Sequence, residues 1–326
     1  VQTAYEQMKD ESCFYSIAEN ESEENQTFLT YNMVVGSSFD KKQSVAMNIL
    51  EYAIMDAPGA PLKKALVDAG IGEDVFASFD DGIRQTIFSI VARNANMSDK
   101  ERFVSVIRDT LTDLSGHGEE GKAIDRTSIE AAINNFEFKH KEANFGRFPK
   151  GLMMGLDAFN TWLYDDASAL EMFKLNEVYD ELKESLKTGY FEELIWEKLV
   201  QNTFGMIFVM KPKKGLDKEN DAAEKQKLAD YKASLTENEL EQVVSDTKEL
   251  KLYQETPSPA KDMEKVPLLN ISDIRKEIHP LKNREDSIYG MPLISHDIFT
   301  NGIGYLEFIF DINDLDAEFV PYAELL

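Results

Sequence analysis

The sequence has few of the residues that usually mark a metal or redox site. It contains one cysteine, Cys13, and four histidines, His117, His140, His279 and His296. A single cysteine cannot form an intramolecular disulfide, so a reducing compartment is the expected setting. No two histidines lie within five residues of each other, which excludes the HExxH and HxxEH zinc motifs from this chain. Cys13 has no CxxC partner and lies in an acidic stretch, which disfavours a reactive thiolate.

Long apolar runs and phosphate-binding loops are also missing. The longest apolar run, at 204–210, has seven residues and is predicted to be a fully buried strand. A membrane span needs about 20 such residues. The Gly-Ile-Gly sequences at 70–72 and 302–304 extend neither to GxGxxG nor to a P-loop, and no GxSxG motif occurs. The sequence therefore predicts neither a membrane span nor a nucleotide site.

Positive charge is scarce relative to negative charge. The chain of 326 residues has 35 Lys and Arg against 60 Asp and Glu, a net charge of −25, and 43% of its residues are hydrophobic. The hydrophobic fraction is typical of a globular protein. The charge argues against nucleic acid or an anionic membrane as a partner, because both require a basic surface.

Residues 1–26 form an acidic N-terminal segment with seven acids and one lysine, predicted to be mostly solvated with a strand only at 13–17. A globular α+β unit is predicted from Thr27, where strand and helix patterns alternate. Its predicted elements are a strand at 28–35, a helix capped by Asp40, a short helix at 61–69 that begins with Pro61, and strands at 76–79 and 85–92 around the turn at 80–82.

Helices dominate the rest of this unit. Capping-box spacings at Ser98/Glu101 and Thr127/Glu130 each precede an amphipathic pattern, so a helix is predicted after each. Further helices are predicted at 156–164, 168–187 and 189–201, and the strand at 204–210 closes the unit.

A polar connector and a second unit follow. Two charged helices are predicted within 216–253, the second starting at a Thr236/Glu239 capping box, and their sparse apolar residues suggest docking along one narrow stripe. Beyond the extended linker at 256–259, strands are predicted at 289–296 and 305–312, with a helix from 313. A unit that ends on its first helix cannot bury its sheet, so we expect a chain truncated at both ends.

The candidates for chemistry are weak. Acidic pairs occur at 80–81, 165–166 and 192–193, but with 60 acids such pairs arise by chance and are expected on solvated faces. An independent hydrolase would need such carboxylates to converge in a pocket with perturbed pKa values. The segment 144–152 combines two aromatic, two basic and two glycine residues between helices. It is either a specialised turn or a contact with substrate or with a neighbouring domain.

Several blocks of sequence, in this order and spacing, resemble the presequence-protease branch of the pitrilysin/insulinase-type (inverted zincin) zinc metallopeptidases. The resemblance covers the chain from about residue 27 to its end. The blocks are APLKKAL (60–66) with GIGED (70–74), RQTIFSI (84–90), EF and KE within 137–142, FPKGL (148–152), WLYD (162–165), QETP through VP (254–267) and HDIFTN (296–301).

The resemblance implies a clamshell of four homologous α+β domains, whose two halves are joined by a helical hairpin and enclose a chamber for unfolded peptides. It predicts an antiparallel sheet packed against helices, a two-layer sandwich of the LuxS/metallohydrolase type. Residues 27–212 would be the second, non-catalytic domain and 213–255 the hinge hairpin. Residues 256–326 would be a linker and the start of a third domain. A similarity between 28–50 and 305–326 reflects either this duplication or chance.

The resemblance assigns no catalytic, cofactor-binding or metal-binding residue to this chain. The family's zinc ligands and catalytic Glu lie in the first domain, and its Arg/Tyr pair lies in the fourth. Zinc is expected in that first domain of a parent enzyme, not here. The remaining domains and unfolded peptides are the expected partners, and a bacterial cytoplasm or an organellar matrix the expected location.

Two functions follow from the resemblance. The first is a non-catalytic central part of a peptide-degrading zinc metalloendopeptidase, forming chamber wall and hinge. The alternative is a non-enzymatic peptide-binding or assembly subunit of the same fold. The acidity either favours basic peptides in the chamber or simply keeps the surface soluble.

Overall fold

The computed structural model describes residues 2–119, 121–278, 280 and 282–325. It is a mixed α+β structure in which a five-stranded sheet packs against helices. The strands of this sheet are β1 (Lys9–Ile17), β2 (Thr27–Ser37), β3 (Asp74–Asp80), β4 (Gln85–Ala95) and β5 (Gly205–Lys214). The helices that follow or interrupt them are α1 (Lys41–Glu51), α2 (Pro61–Asp68), α3 (Lys100–Leu114), α4 (Arg126–Glu142), α5 (Lys150–Trp162), α6 (Asn176–Ser185) and α7 (Tyr190–Ile195).

The sheet has the order β1-β5-β2-β4-β3. β1 is parallel to β5, and the other neighbours are antiparallel. Alternate residues of β2, namely Leu29, Tyr31 and Met33, are buried on one face, as the period of two in a strand requires. Helices cover this face, so the predicted sheet-on-helix fold class is confirmed.

Two strands differ from the sequence prediction. β1 begins at Lys9, four residues before the predicted strand, because its pairing with β5 depends on backbone groups and does not need an apolar pattern. β5 continues past residue 210 to Lys214, opposite Ile17. The prediction of a fully buried strand was wrong for β5, since only Gly205 and Val209 of this strand are buried and helices cover one face of the sheet.

Helix starts agree with the sequence where one capping residue stands alone. The Asp40 carboxylate accepts from the Gln43 N–H at 3.0 Å, and α2 begins at Pro61. Capping by Ser98 and Thr127 was wrong. Asn96 pairs with Asp99 in a capping box that starts a 3₁₀ turn before α3, and Asp125 caps α4. Asn96 is selected by a tertiary contact, because its side chain also accepts from the distant Asn25 N–H at 2.9 Å.

The later helices also differ in their bounds. α5 begins at Lys150, six residues earlier than predicted. The predicted helix at 168–187 is reduced to α6, preceded by two 3₁₀ turns, and α7 gives way to a π-helical turn at Trp196–Val200.

The connector consists of the two predicted helices, α8 (Leu216–Ser234) and α9 (Glu237–Glu255), and the Thr236/Glu239 capping box is present. Both helices are described along their whole length and neither buries a residue, so the predicted docking along an apolar stripe was wrong. Both helices carry charge on most of their surface, and solvation satisfies it better than packing would.

The C-terminal part contains the short helix α10 (Ala260–Met263) and the hairpin β6 (Asn283–Ile288) and β7 (Met291–His296). The predicted strand at 289–296 begins two residues late, because Tyr289 and Gly290 form the turn with φ of 51° and 82°. Residues 305–312, all of them described, form no strand, and the predicted helix from 313 is a 3₁₀ turn at Val320–Leu325. No neighbouring strand pairs with 305–312 among the described residues, and its apolar side chains are exposed.

Candidate functional site

The described histidines and the cysteine do not converge. The His117 ring stacks on Trp196 with centroids 4.0 Å apart, and His140 contacts Tyr179, where burial lowers the pKa of His140. His296 ends the exposed strand β7, Cys13 is half-buried in β1, and His279 lies outside the described residues. Across the described ranges, no three His, Cys, Asp or Glu residues are grouped so as to hold a metal ion.

Two of the acidic pairs have structural roles. Asp165 accepts from the Ala167 N–H at 3.1 Å and from the Ser168 hydroxyl at 2.7 Å, which starts a 3₁₀ turn. Asp166 accepts from the Trp162 indole N–H at 3.0 Å. Glu192 lies 3.8 Å from Arg126. These contacts account for the acids without a catalytic role.

The remaining pair is less solvated. Asp81 accepts from the Asn48 amide at 3.1 Å, and burial raises the pKa of Asp81. Burial and the Asp81 charge also raise the pKa of Asp157 on α5. The turn between β3 and β4 therefore faces α5 through carboxylates.

A cleft of about 770 Å³ lies between the start of α1 and α6. Its charges neutralise one another: Glu171 binds both Lys174, at 2.7 Å, and Lys41, and these hydrogen bonds lower the pKa of Glu171 to about 2. Lys42 lies 3.4 Å from Glu181 across the same cleft. Paired charges of this kind favour a structural role for the cleft.

The segment 144–152 is a turn followed by the start of a helix. The Asn144 side chain accepts from the Gly146 N–H at 3.0 Å, and α5 begins directly after Pro149. Phe148 is 63% exposed, so this aromatic does not staple the two helices together. The segment instead presents Phe148 at the N-terminal end of α5.

α5 itself has an apolar face that no other described element covers. Its spacing of four, three and four residues places four side chains on one side of the helix. They are between 43% and 68% exposed, while Ala158 and Thr161 on the opposite side are buried. We call this surface the α5 face, and it consists of Leu152, Leu156, Phe159 and Leu163.

Charged and aromatic side chains border the α5 face. Phe159 stacks on Trp162 with ring centroids 5.4 Å apart. Arg147 and Lys150 lie at the N-terminal end of the helix, and Asp157 and Asp165 lie toward its C-terminal end. A solvent-exposed apolar surface with a polar border is typical of a binding surface.

Two family profiles match the chain, and both describe M16 peptidases. Residues 8–136 match the peptidase M16 inactive domain, and residues 210–326 match the region associated with subfamily C of the M16 peptidases. Together they cover parts of the sheet unit and all of the connector with the C-terminal part. The chain belongs to the M16 peptidase family.

The curated relatives point to the presequence-protease type within the M16 family. The protein HypA of Clostridium perfringens is 35% identical over the whole of this chain and 33% of its own length. The chloroplastic and mitochondrial presequence protease 1 of Arabidopsis thaliana is 33% identical over 88% of this chain and 26% of its own. The chain thus spans about a third or less of these relatives. The sheet unit is a non-catalytic domain of an M16 metallopeptidase.

Solved M16 structures overlap the sheet unit. The peptidase M16 inactive domain from Pseudomonas fluorescens aligns with 65% of this chain and 45% of its own, with a TM-score of 0.37 and 13% identity.

No helix among the described residues combines the length and hydropathy of a membrane span. The α5 face was missed by the sequence reasoning, which expected the helix to begin only at 156. The repeat Leu152, Leu156, Phe159 and Leu163 was the available signal, but a stripe of this kind is buried in most helices and only the tertiary structure shows it exposed.

Proposed function

We propose that the chain forms the chamber wall and the hinge of a multidomain zinc metalloendopeptidase that degrades unfolded peptides. The exposed α5 face is the observation that carries this proposal, because a domain without catalytic residues contributes to such an enzyme by binding. We further propose that residues 27–212, extended by the pairing of β1, form the wall, and 213–255 the hinge. Residues 256–326 would begin the next domain.

The chemistry of the α5 face fits one kind of peptide. Apolar side chains along a helix bind the apolar side of an amphipathic segment. Presequences that target proteins to mitochondria or chloroplasts are amphipathic, rich in Arg and poor in acids. The net charge of −25 on this chain attracts such peptides over long range. Two sets of relatives carry the name presequence protease, which is consistent with this substrate class.

Zinc does not belong to this part of the proposed enzyme. The described residues offer no group of three or more ligands, so zinc would be held by another domain of the parent. This chain would contribute peptide binding and the geometry of the chamber. The alternative, a non-enzymatic peptide-binding subunit, uses the same surface. The coding sequence upstream distinguishes them: HxxEH there favours the protease, and its absence favours the subunit.

The α5 face can be tested by replacing one of its residues. We expect Leu156→Asp to weaken binding of a fluorescent, basic amphipathic peptide by about tenfold or more, since burying a leucine contributes roughly 1.5–3 kcal/mol. The measurement is fluorescence anisotropy at low salt. Leu228→Asp on α8 is the matched control, because Leu228 is 57% exposed and Leu156 is 52% exposed. Equal binding by wild type and both variants would contradict the proposal.

A further inference from the structure

The C-terminal end of α4 receives a contact from far along the chain. α4 ends at Ala143, which has a left-handed φ of 47° and donates its N–H to the Lys139 carbonyl at 2.9 Å. The carbonyls of the last helical turn lack partners within a helix. One of them, that of Lys141, accepts from the side-chain amide of Asn301 at 3.0 Å. Asn301 therefore caps a helix that lies 160 residues earlier in the chain.

A second hydrogen bond lies beside the first. The Tyr305 hydroxyl donates to the Glu142 carboxylate at 3.0 Å. Burial at this contact and the Glu142 charge raise the pKa of Tyr305. Two polar contacts four residues apart thus bind adjacent residues at the end of α4. We call residues 301–305 the clasp.

The backbone of the clasp is shaped for this contact. Asn301 and Gly302 have φ of 55° and 82°, and the Ile303 N–H donates to the Thr300 carbonyl at 3.2 Å. Asparagine is among the few residues other than glycine that adopt the left-handed region readily. The turn therefore projects the Asn301 amide while keeping the chain close to α4.

The receiving end of α4 is fixed within the sheet unit. The Glu137 carboxylate binds the Lys141 ammonium at 2.6 Å and also binds Lys183 on α6. These hydrogen bonds lower the pKa of Glu137, which keeps it ionised and paired. The clasp consequently binds a rigid surface and not a fraying helix end.

The segment between α4 and the clasp includes a connector that buries nothing. No described residue of α8 or α9 is buried, so these helices do not themselves hold the C-terminal part against the sheet unit. Near the start of α8, Lys218 pairs with Glu19 at 2.9 Å. The restraint on the far side of the connector comes from the clasp.

We propose that the clasp docks on the last turn of α4 and limits how far the hinge formed by α8 and α9 opens. This inference rests on the proposed hinge role of the connector. When the clasp is bound, the C-terminal part stays beside the sheet unit. When it is released, the α8–α9 connector is free to swing.

Single-molecule energy transfer in the whole chain tests the clasp. Dyes are attached to cysteines at the exposed positions Glu101 and Ser287 in a Cys13→Ser background. Asn301→Asp keeps a residue that tolerates the left-handed backbone but replaces the donor with an acceptor. We expect it to shift the docked-to-undocked ratio at least about fivefold toward the undocked state, and Tyr305→Phe to shift it by a similar factor.

Tyr289→Phe is the matched control, since Tyr289 is 98% exposed at the turn between β6 and β7. A Tyr305→Phe/Glu142→Gln double-mutant cycle should show coupling between the two residues. Unchanged transfer in Asn301→Asp and Tyr305→Phe would overturn the clasp. Peptide binding at the α5 face, measured in the same variants, stays at the wild-type level if the wall role is correct, so the two proposals fail separately.

Discussion

Glu51, Asp81 and Glu171 are ordinary acids in the sequence, but their surroundings give them different properties. Burial, with repulsion from Asp56, raises the pKa of Glu51 to about 7. Hydrogen bonds from Lys174 and Lys41 lower the pKa of Glu171 to about 2. An ionised Glu51 therefore costs folding free energy at neutral pH, whereas an ionised Glu171 is stabilised by its partners. No motif separates these carboxyl groups, because the cause is the neighbourhood that folding creates.

Glu51→Gln is expected to change the pH dependence of stability. Because the folded pKa of Glu51 lies above its unfolded value, the wild-type protein loses stability from this group as pH rises from about 4.5 to about 7. The variant lacks this loss and should be more stable by about 1–2 kcal/mol at pH 8, but not at pH 4. Urea denaturation at both pH values measures the difference. Glu11→Gln on the exposed side of β1 is the control, and an equal gain there would contradict the assignment.

At the scale of single elements, two glycines have opposite surroundings. A Cβ at Gly205, the first residue of β5, would lie 2.5 Å from the backbone oxygen of Asn32 in β2. A Cβ at Gly155, within α5, would meet nothing within 4 Å among the described residues. The first glycine permits the close approach of two strands, and the second only weakens a helix.

Alanine substitution should separate these two roles. Gly205→Ala is expected to lower the free energy of unfolding by about 1–3 kcal/mol, because backbone has to move to relieve the overlap. Gly155→Ala should raise the stability of α5 by about 0.5–1 kcal/mol. Chemical denaturation measures the first, and amide hydrogen exchange within α5 the second. A Gly205→Ala variant as stable as the wild type would show that β5 and β2 do not approach each other this closely.

For the whole molecule, the core occupies one part of the chain. The buried hydrophobic residues of the described ranges all lie between Ile17 and Val209. Within those ranges, the connector and the C-terminal part bury no apolar side chain comparable with those of the sheet unit. The sheet unit should therefore fold without them.

A chain that ends at Gly215 tests this division. We expect its thermal midpoint to lie within about 3 °C of the midpoint of the whole chain, because about 1 kcal/mol shifts the midpoint of a protein this size by ~2–4 °C. Residues 216–325 alone should melt without a cooperative transition. Circular dichroism on both pieces gives the result. A fall of more than about ten degrees on truncation would place core contacts in the removed part.

Local chemistry in the sequence predicted the local structure. The Asp40 cap, the Pro61 start and the Thr236/Glu239 capping box depend on residues close together in the chain, and all three are present. The order of family-like blocks also identified the M16 resemblance. The sequence by itself therefore determined the fold class and the absence of an HxxEH motif.

Interactions between distant residues were decided only by the tertiary structure. Asn96 replaced Ser98 as a cap through its contact with Asn25, and residues 305–312 formed no strand without a partner in the described part of the chain. Exposure of the α5 face and the capping of α4 by Asn301 depend on which surfaces fold together. A hydrophobic or polar pattern specifies what a residue can contact, but the packed chain determines whether that contact is made.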